Sequence, residues 1–437
     1  MHDRTRRQLC RIAFLMLCVL PSAVVLIWTA WRGGKGHQRA CAAELSHTVG
    51  LNIACAAVSF PRPGITLYQG VELSDPETAS PLARMRFLET GGSGTTSVWV
   101  ASQPELDAAQ LRDFWLLVDQ RLREASDTAA TTRISAAEAT LHWPAGAQTL
   151  TDIVGQISMP ADGEPRTAML SFRIAGIDMP EPVRLRVTRQ RDSTPTSMAG
   201  ARGSQLKTKL EFDTCGGALP CAMLAVPLGI ANHLGTQAKF RGSVWATETA
   251  DGWDGELSGQ FTDVDLQILV SEQFPHRLSG AAEITVQKAR FRHGRLEEAA
   301  GTLSAGPGVV SQSLVAAAIE FLHLAPRPAN HHAEDMLRQY EQLSLAFVVD
   351  ASGLTLHGQC SGAAGAVMRL GDGTVLSEPA GSSGPIAALV RTLVPQSAVQ
   401  VPATRESGWL IGRLPVPQVV LREDQPPQGR LRLERNP

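Results

Sequence analysis

The sequence predicts a mainly β protein: an elongated, twisted antiparallel sheet, groove- or taco-like, with two or three short helices and one N-terminal transmembrane helix. Three observations predict it. Apolar and polar residues alternate with period two in many short runs, as in strands with one buried face. Gly (39) and Pro (27) are frequent while charged residues are only 19%, which suits strands and turns rather than a helical bundle. Residues 12–31 form one uninterrupted apolar run.

The chain of 437 residues, 43% of them hydrophobic, has material for roughly two or three domains of about 150 residues. Its net charge of −2, from 40 basic and 42 acidic residues, argues against a nucleic-acid partner, which calls for a clear basic excess.

The elements follow in chain order. Residues 12–31 read IAFLMLCVLPSAVVLIWTAW; at 1.5 Å per residue they span about 30 Å, the thickness of a bilayer core. Pro21 is tolerable there as a kink, and Trp28 and Trp31 stand where interfacial aromatics belong. A cleaved secretory signal is the alternative. The run is longer than the usual core of such a signal, and Arg32, Lys35 and Arg39 follow it directly. Ala40-Cys41-Ala42, the nearest resemblance to a cleavage site, lies beyond those charges. Arg4, Arg6, Arg7 and Arg11 precede the run, so the bias favours residues 1–11 inside and the body exported. Cys41, Cys55, Cys215, Cys221 and Cys360 would then be exported too. Cys215-Gly-Gly-Ala-Leu-Pro-Cys221 closes a short turn-rich loop, readable as a disulfide in an oxidising space or as two small buried thiols.

Strands come next. Ile65, Leu67, Val71 and Leu73 share one parity, and Thr66, Tyr68, Glu72 and Ser74 the other. The same alternation returns at Leu170-Phe172-Ile174, Val183-Leu185-Val187, Leu206-Leu210-Phe212, Ala282-Ile284-Val286, Leu343-Leu345-Phe347 and Leu354-Leu356. Ala250-Asp251-Gly252 and His293-Gly294 read as hairpin turns.

Two helices interrupt the strands. Ser102-Gln-Pro-Glu105 matches a capping box, followed by the stripe Leu111, Phe114, Trp115, Val118 and Leu122. A second helix starts near Ser311, carries Leu314, Val315, Ala318, Ile319 and Leu322, and stops before Pro326 and Pro328. A shorter polar helix is expected over residues 333–340. After Pro395 the chain turns Pro-rich and reads as an extended tail, with edge strands expected at 419–421 and 431–433. The resulting partition is 1–11 cytoplasmic, 12–31 anchor, 32–100 N-terminal strand module, 101–125 amphipathic helix, 126–310 β-meander, 311–340 helical segment, 341–394 C-terminal β module and 395–437 tail.

Chemistry-bearing constellations are weak. His323, His331 and His332 cluster in sequence, but adjacent histidines point apart on a helix and the paired-histidine helical spacing is absent. Asp263-Val-Asp265 puts two carboxylates on one strand face without a defined partner. Gly91-Gly-Ser-Gly94, Gly362-Ala-Ala-Gly365 and Gly371-Asp-Gly373 lack the flanking residues of phosphate-binding loops and read as turns. The expectation is a protein that is not an enzyme and needs no metal or other cofactor.

In order rather than in any single motif, the chain resembles the AsmA-like proteins, a group that includes TamB-type envelope proteins. The likeness rests on four stretches covering about two thirds of the chain. They are the anchor followed by a strand entry; Phe60-Pro-Arg-Pro-Gly64 with Gly70-Val-Glu-Leu-Ser-Asp-Pro-Glu77; residues 240–266 and 278–303 before the helix at Ser311; and residues 343–394, with Leu354-Thr-Leu-His-Gly358, Gly365-Ala-Val367 and Leu389-Val-Arg391. Many members are longer, and their C-terminal outer-membrane partner segment is not recognisable here. The resemblance implies an inner-membrane protein with a periplasmic body and an apolar concave sheet face that takes acyl chains. Its partners would be membrane lipid or components of envelope assembly. Patterning alone leaves a closed sandwich equally open. On the groove reading, Phe172, Leu185, Leu210, Phe212 and Ile284 are the lining candidates.

Overall fold

In the computed structural model the described residues are 11–32, 34–123, 129–143, 146–160, 164–191, 206–225, 233–249, 251–327, 336–381 and 383–394. The fold is mainly β, as the alternation predicts. The chain divides into two compact units. One holds the described residues up to Leu269 with Ala281–Thr285; the other holds Val270–Gly280 and the described residues from Val286 onward.

The first unit begins with helix α1, Arg11–Arg32, whose 22 residues are long and apolar enough to cross a membrane and are not covered by the rest of the chain. Pro21 cannot donate to the Leu17 carbonyl. The helix adapts by winding as a π segment over Leu15–Val19, where the Leu20 N–H reaches Leu15 O. Ser22 Oγ donates to Cys18 O at 2.7 Å. Such local widening and hydroxyl bonding are how a membrane helix accommodates proline.

Helix α2, Lys35–Val49, was not expected from the pattern, because His37, Cys41 and Leu45 are the main residues on its packed face. Its stop signal is present in Gly50, whose N–H bonds Ser46 O at 2.8 Å. The strands β1 (Asn52–Ala54), β2 (Ala57–Arg62), β3 (Ile65–Ser74), β4 (Pro81–Ser93), β5 (Thr96–Ser102) and β6 (Glu105–Asp107) follow. β3 departs from its expected single parity. Tyr68 and Val71 are its two buried residues, because Gly70 takes a left-handed φ of 59° and turns the strand between them.

Helix α3, Leu111–Arg123, carries the expected stripe but not the expected cap. Glu105 is in a strand, and Asp107 accepts from Ala109 N at the head of the short turn that leads into the helix. The remaining elements are β7 (Ala130–Trp143), β8 (Gly146–Met159), β9 (Arg166–Ile174), β10 (Val183–Arg191), β11 (Leu206–Asp213), β12 (Leu219–Pro220), helix α4 (Cys221–Ala225), β13 (Lys239–Thr249) and β14 (Gly252–Asp265).

These strands pair mostly with their sequence neighbours: β3 with β1, β2 and β4, then β4–β5, β7–β8, β8–β9, β9–β10, β10–β11, β11–β13 and β13–β14, all antiparallel. The sheet is nevertheless mixed. β5 and β6 both pair parallel to β7, since α3 carries the chain back across the sheet before β7 begins. The purely antiparallel expectation is corrected there.

In the second unit β15, Ala281–Arg292, which starts in the first unit, leads to β16 (Arg295–Ala305) and β17 (Gly308–Ser311). Helix α5, Gln312–Phe321, starts at the expected cap, with Ser311 Oγ accepting from Leu314 N at 3.3 Å. β18 (Ala325–Arg327), β19 (Leu337–Asp350), β20 (Gly353–Gly358), β21 (Ala366–Leu370), β22 (Val375–Ser377) and helix α6 (Ile386–Leu393) complete it. β19 is the spine: β16 and β17 pair along one edge, β20 and β21 along the other. The polar helix expected over residues 333–340 is therefore corrected, since 337–340 begin this strand. Buried Tyr340 donates to Ser279 O at 2.7 Å. The residues of the tail, with its two expected edge strands, and His331 and His332 lie outside the described residues.

Candidate functional site

Strand register decides which side chains share a face, and in the first unit it assembles one long apolar row. Trp99, Ile134, Gly155, Leu170, Leu185, Phe212, Val244 and Leu257 are successive cross-strand partners. Eight strands at about 4.8 Å spacing give a row about 34 Å long. Beside it run Ala168, Val187, Leu210 and Ala246. The opposite face of β10 and β11 carries Arg184, Arg186, Lys207, Lys209 and Glu211, so these two strands are apolar on one side and charged on the other; elsewhere the opposite face also exposes Val98, Val100, Val154, Met169 and Trp245.

The apolar face is covered unevenly. At one end, Leu45 of α2 and Phe114 and Leu117 of α3 pack with Tyr68, Val71, Leu88 and Ala101. At another, Phe172 and Val183 are buried with Leu141, Ile174, Leu219 and Met223 of α4. Trp115, Val118 and Leu122 of α3 close over Val187, Met159 and Leu210. Between these patches Leu170 is 37% exposed, and Leu185, Phe212, Val244 and Leu257 stay half-buried.

α3 is held over the face by charge as well as by its stripe. Arg189 continues the apolar parity of Val183, Leu185 and Val187, yet is only 2% exposed. Its Nη2 lies 2.7 Å from Asp119 Oδ1, its Nη1 donates to Asp119 O at 3.1 Å and its Nε to Thr208 Oγ1 at 3.0 Å. Thr208 in turn donates to Glu248 Oε2 at 2.7 Å. Arg166 Nη1 donates to Leu122 O at 3.0 Å. Arg166 thus occupies a carbonyl that lacks an intrahelical partner, and both arginines lie against the last turn of α3, where a helix favours cations. Burial lowers the Arg189 pKa, opposed by the Asp119 charge.

The lining candidates separate into groups. Phe172, Leu185, Leu210 and Phe212 share the apolar face, but Phe172 is fully buried and Leu210 packs under α3, which leaves Leu185 and Phe212 accessible. Ile284 is half-buried on β15, next to Glu283, whose carboxylate accepts from Gln260 of β14. Trp99, Ile134, Val244 and Leu257 were not foreseen. Val98-Trp99-Val100 is apolar on both parities, so its period hides its face. Val244 and Leu257 were legible in principle, since the close pairing of Thr249 with Gly252 fixes the register that pairs them.

Cys215 and Cys221, like Cys41, Cys55 and Cys360, are unbridged in this structure. Cys215 N and Sγ bond Asp213, while Cys221 is buried at the head of α4, where burial pushes its thiol up to about 11. Asp263 pairs with Lys239 at 3.3 Å and Asp265 accepts from Gln267 N at 2.8 Å, so the two carboxylates serve separate local roles. His323 is exposed on a left-handed turn. Among the described residues no cluster of three or more His, Cys, Asp or Glu side chains is placed to hold a metal ion. Neither a protein-family model nor a curated protein matches the chain.

Proposed function

We propose that this is a membrane-anchored, non-enzymatic protein that binds or conducts lipid along the apolar face of its first unit. α1 is the anchor, with the body exported to the periplasm of a cell envelope. The observation that carries the reading is the half-exposed row through Leu170, Leu185, Phe212, Val244 and Leu257. An acyl chain gains about 0.8 kcal/mol for each CH₂ it buries. A stripe that covers part of one chain therefore supplies several kcal/mol without polar contacts. The resemblance to AsmA-like proteins supports the same reading.

The competing reading is a scaffold or partner-binding role in envelope assembly. The burial of Phe172, Val183 and Val187 by the chain's own side chains favours it. Native mass spectrometry of gently extracted full-length protein, with a photo-crosslinker at Phe212, separates the two. Lipid binding requires a co-purified lipid mass and a lipid adduct at Phe212. No bound lipid, with crosslinks to protein alone, selects the scaffold.

A further inference from the structure

We propose that Cys41 and Cys55 form a disulfide that staples α2, the helix directly following the membrane anchor, to the first strand edge of the sheet. The proposal rests on the exported orientation given above, because an oxidising compartment must supply the oxidant.

Both thiols are unbridged in this structure, and the packing places them on one seam. His37, Cys41 and Leu45 are four residues apart, so they project from one face of α2. At one end of that face the His37 ring lies 5.6 Å from the Phe60 ring of β2. At the other, Leu45 joins the buried cluster with Leu51, Ile53 and Val58. Cys41 lies between these two contacts on the helix, and Cys55 lies between Ile53 and Phe60 on the facing chain. Both cysteines pack against the same cluster.

A second tie sets the register. Ile53 N donates to Ser46 Oγ at 3.0 Å, and from there helix and strand run away in opposite chain directions. Five residues back along the helix rise about 7.5 Å and two forward along the strand about 6.6 Å. The two cysteines are thereby brought level. Electrostatics agrees: burial raises the Cys55 thiol most, and a charge on Cys41 raises it further. Tyr68 senses both sulfurs. Cys215 and Cys221 have no such mutual effect.

The oxidant is a protein or small-molecule disulfide, RS–SR. One of the two cysteine thiolates attacks a donor sulfur, forming a mixed disulfide and releasing one RS⁻. The other thiolate then attacks the protein sulfur of that mixed disulfide, closing the Cys41–Cys55 bond and releasing the second RS⁻. Two electrons pass from the protein thiols to the donor, and the two thiol protons end on the two RSH products. The closed bond keeps α2 from peeling away from Leu51 and Ile53 at the point where the anchor pulls on the body.

The test uses full-length protein in membranes, with free thiols blocked at lysis, then denatured and mass-tagged with and without reductant. The expected result is two fewer tags without reductant and a Cys41–Cys55 linked peptide. A parallel arm oxidises purified, reduced full-length protein with oxidised glutathione. There the bond should form and raise the melting temperature by several degrees in the native chain but not in Cys55→Ser. Thiols free in cells that close in the purified protein would overturn the exported orientation and leave the seam intact. Thiols that stay free in both arms, or that pair with other cysteines, would overturn the staple itself.

Discussion

Asp119 on α3 and Arg189 on β10 form a buried ion pair, Oδ1 to Nη2 at 2.7 Å, although 70 residues separate them in sequence. It is the polar end of an otherwise apolar interface, and it sets where α3 stops covering the sheet. A buried guanidinium is costly unless paired and hydrogen-bonded. Here all three of its nitrogens have partners.

Asp119→Asn keeps the side-chain size and removes the charge opposite Arg189. The expected loss is about 1–3 kcal/mol of unfolding free energy, because the buried guanidinium loses its nearest counter-charge and keeps Glu248, reached through Thr208. Replacing both partners with apolar residues, Asp119→Leu with Arg189→Met, should restore most of it. Denaturant midpoints of the two variants give the comparison, and equal midpoints would contradict the role assigned to the pair.

Gly242 sits opposite Gly259 in the β13–β14 hairpin, with the Phe240 ring folded over the pair. A Cβ at Gly242 would run into the Ser258 carbonyl and lie 3.0 Å from the Phe240 ring. Gly242→Ala should therefore destabilise by about 1–3 kcal/mol, as overpacking of a fitted site does. Phe240→Leu in the same background should recover part of the loss, since it removes the ring but not the backbone clash. Thermal melts of the single and double variants decide it.

A pH dependence is expected from Asp372 in the second unit. Burial pushes its carboxyl up, but the hydrogen bonds from Thr374 and the partnership with Arg338 outweigh that and bring it down to about 2. The folded state thus holds the carboxylate more strongly than the unfolded state does. Its stabilisation is present above about pH 4 and is lost as pH falls toward 2. Asp372 is 47% exposed, so water screens the interaction and its worth is about 1 kcal/mol. Asp372→Asn should lower stability at pH 6 and flatten this part of the curve between pH 4 and 2. Unfolding measured across that range in both proteins is the check.

Removal of residues 12–31 should release the body from membranes under alkaline washing, while the full-length chain stays in the pellet. Twenty apolar residues cross a bilayer core and resist extraction. A full-length chain found in the alkaline supernatant would rule out a spanning helix.

Phe212→Asp and Leu185→Asp place charge in the half-exposed row and should reduce co-purified lipid several-fold. Met169→Asp, on the opposite face of the same sheet and 40% exposed, is the control and should leave lipid unchanged. Equal lipid content in all three variants would exclude this face as the lipid site.

Much of this was written locally. Alternation is a property of consecutive residues, so the strands over Arg166–Ile174, Val183–Arg191 and Leu206–Asp213, and the 343–347 part of Leu337–Asp350, could be read without knowing their partners. The α3 stripe, the Ser311 cap and the apolar N-terminal helix are local in the same sense. Where a local signal had two uses, reading failed. Ser102-Gln-Pro-Glu105 has the spacing of a helix start, but its glutamate entered a strand that pairs with β4 and β7. Residues 337–340 look polar enough for a solvated helix, yet Arg338 and Tyr340 find their partners only in Asp372, Thr374 and Ser279.

Hydrophobic parity belongs to each strand alone, so the residues that prefer to leave water can be named locally. What each of them meets on leaving it depends on packing between distant parts of the chain. Phe172 and Leu185 have the same parity on neighbouring strands, yet one is sealed by Leu219 and Met223 and the other is left half-open. The reason is that burial depends on the elements laid across a face. Those elements arrive from distant parts of the chain: α3 is held at one end by Arg189 and Arg166, and α4 packs at the other. Arg189 shows the same limit in reverse, for a charge on an apolar parity is a defect until Asp119 is brought beside it.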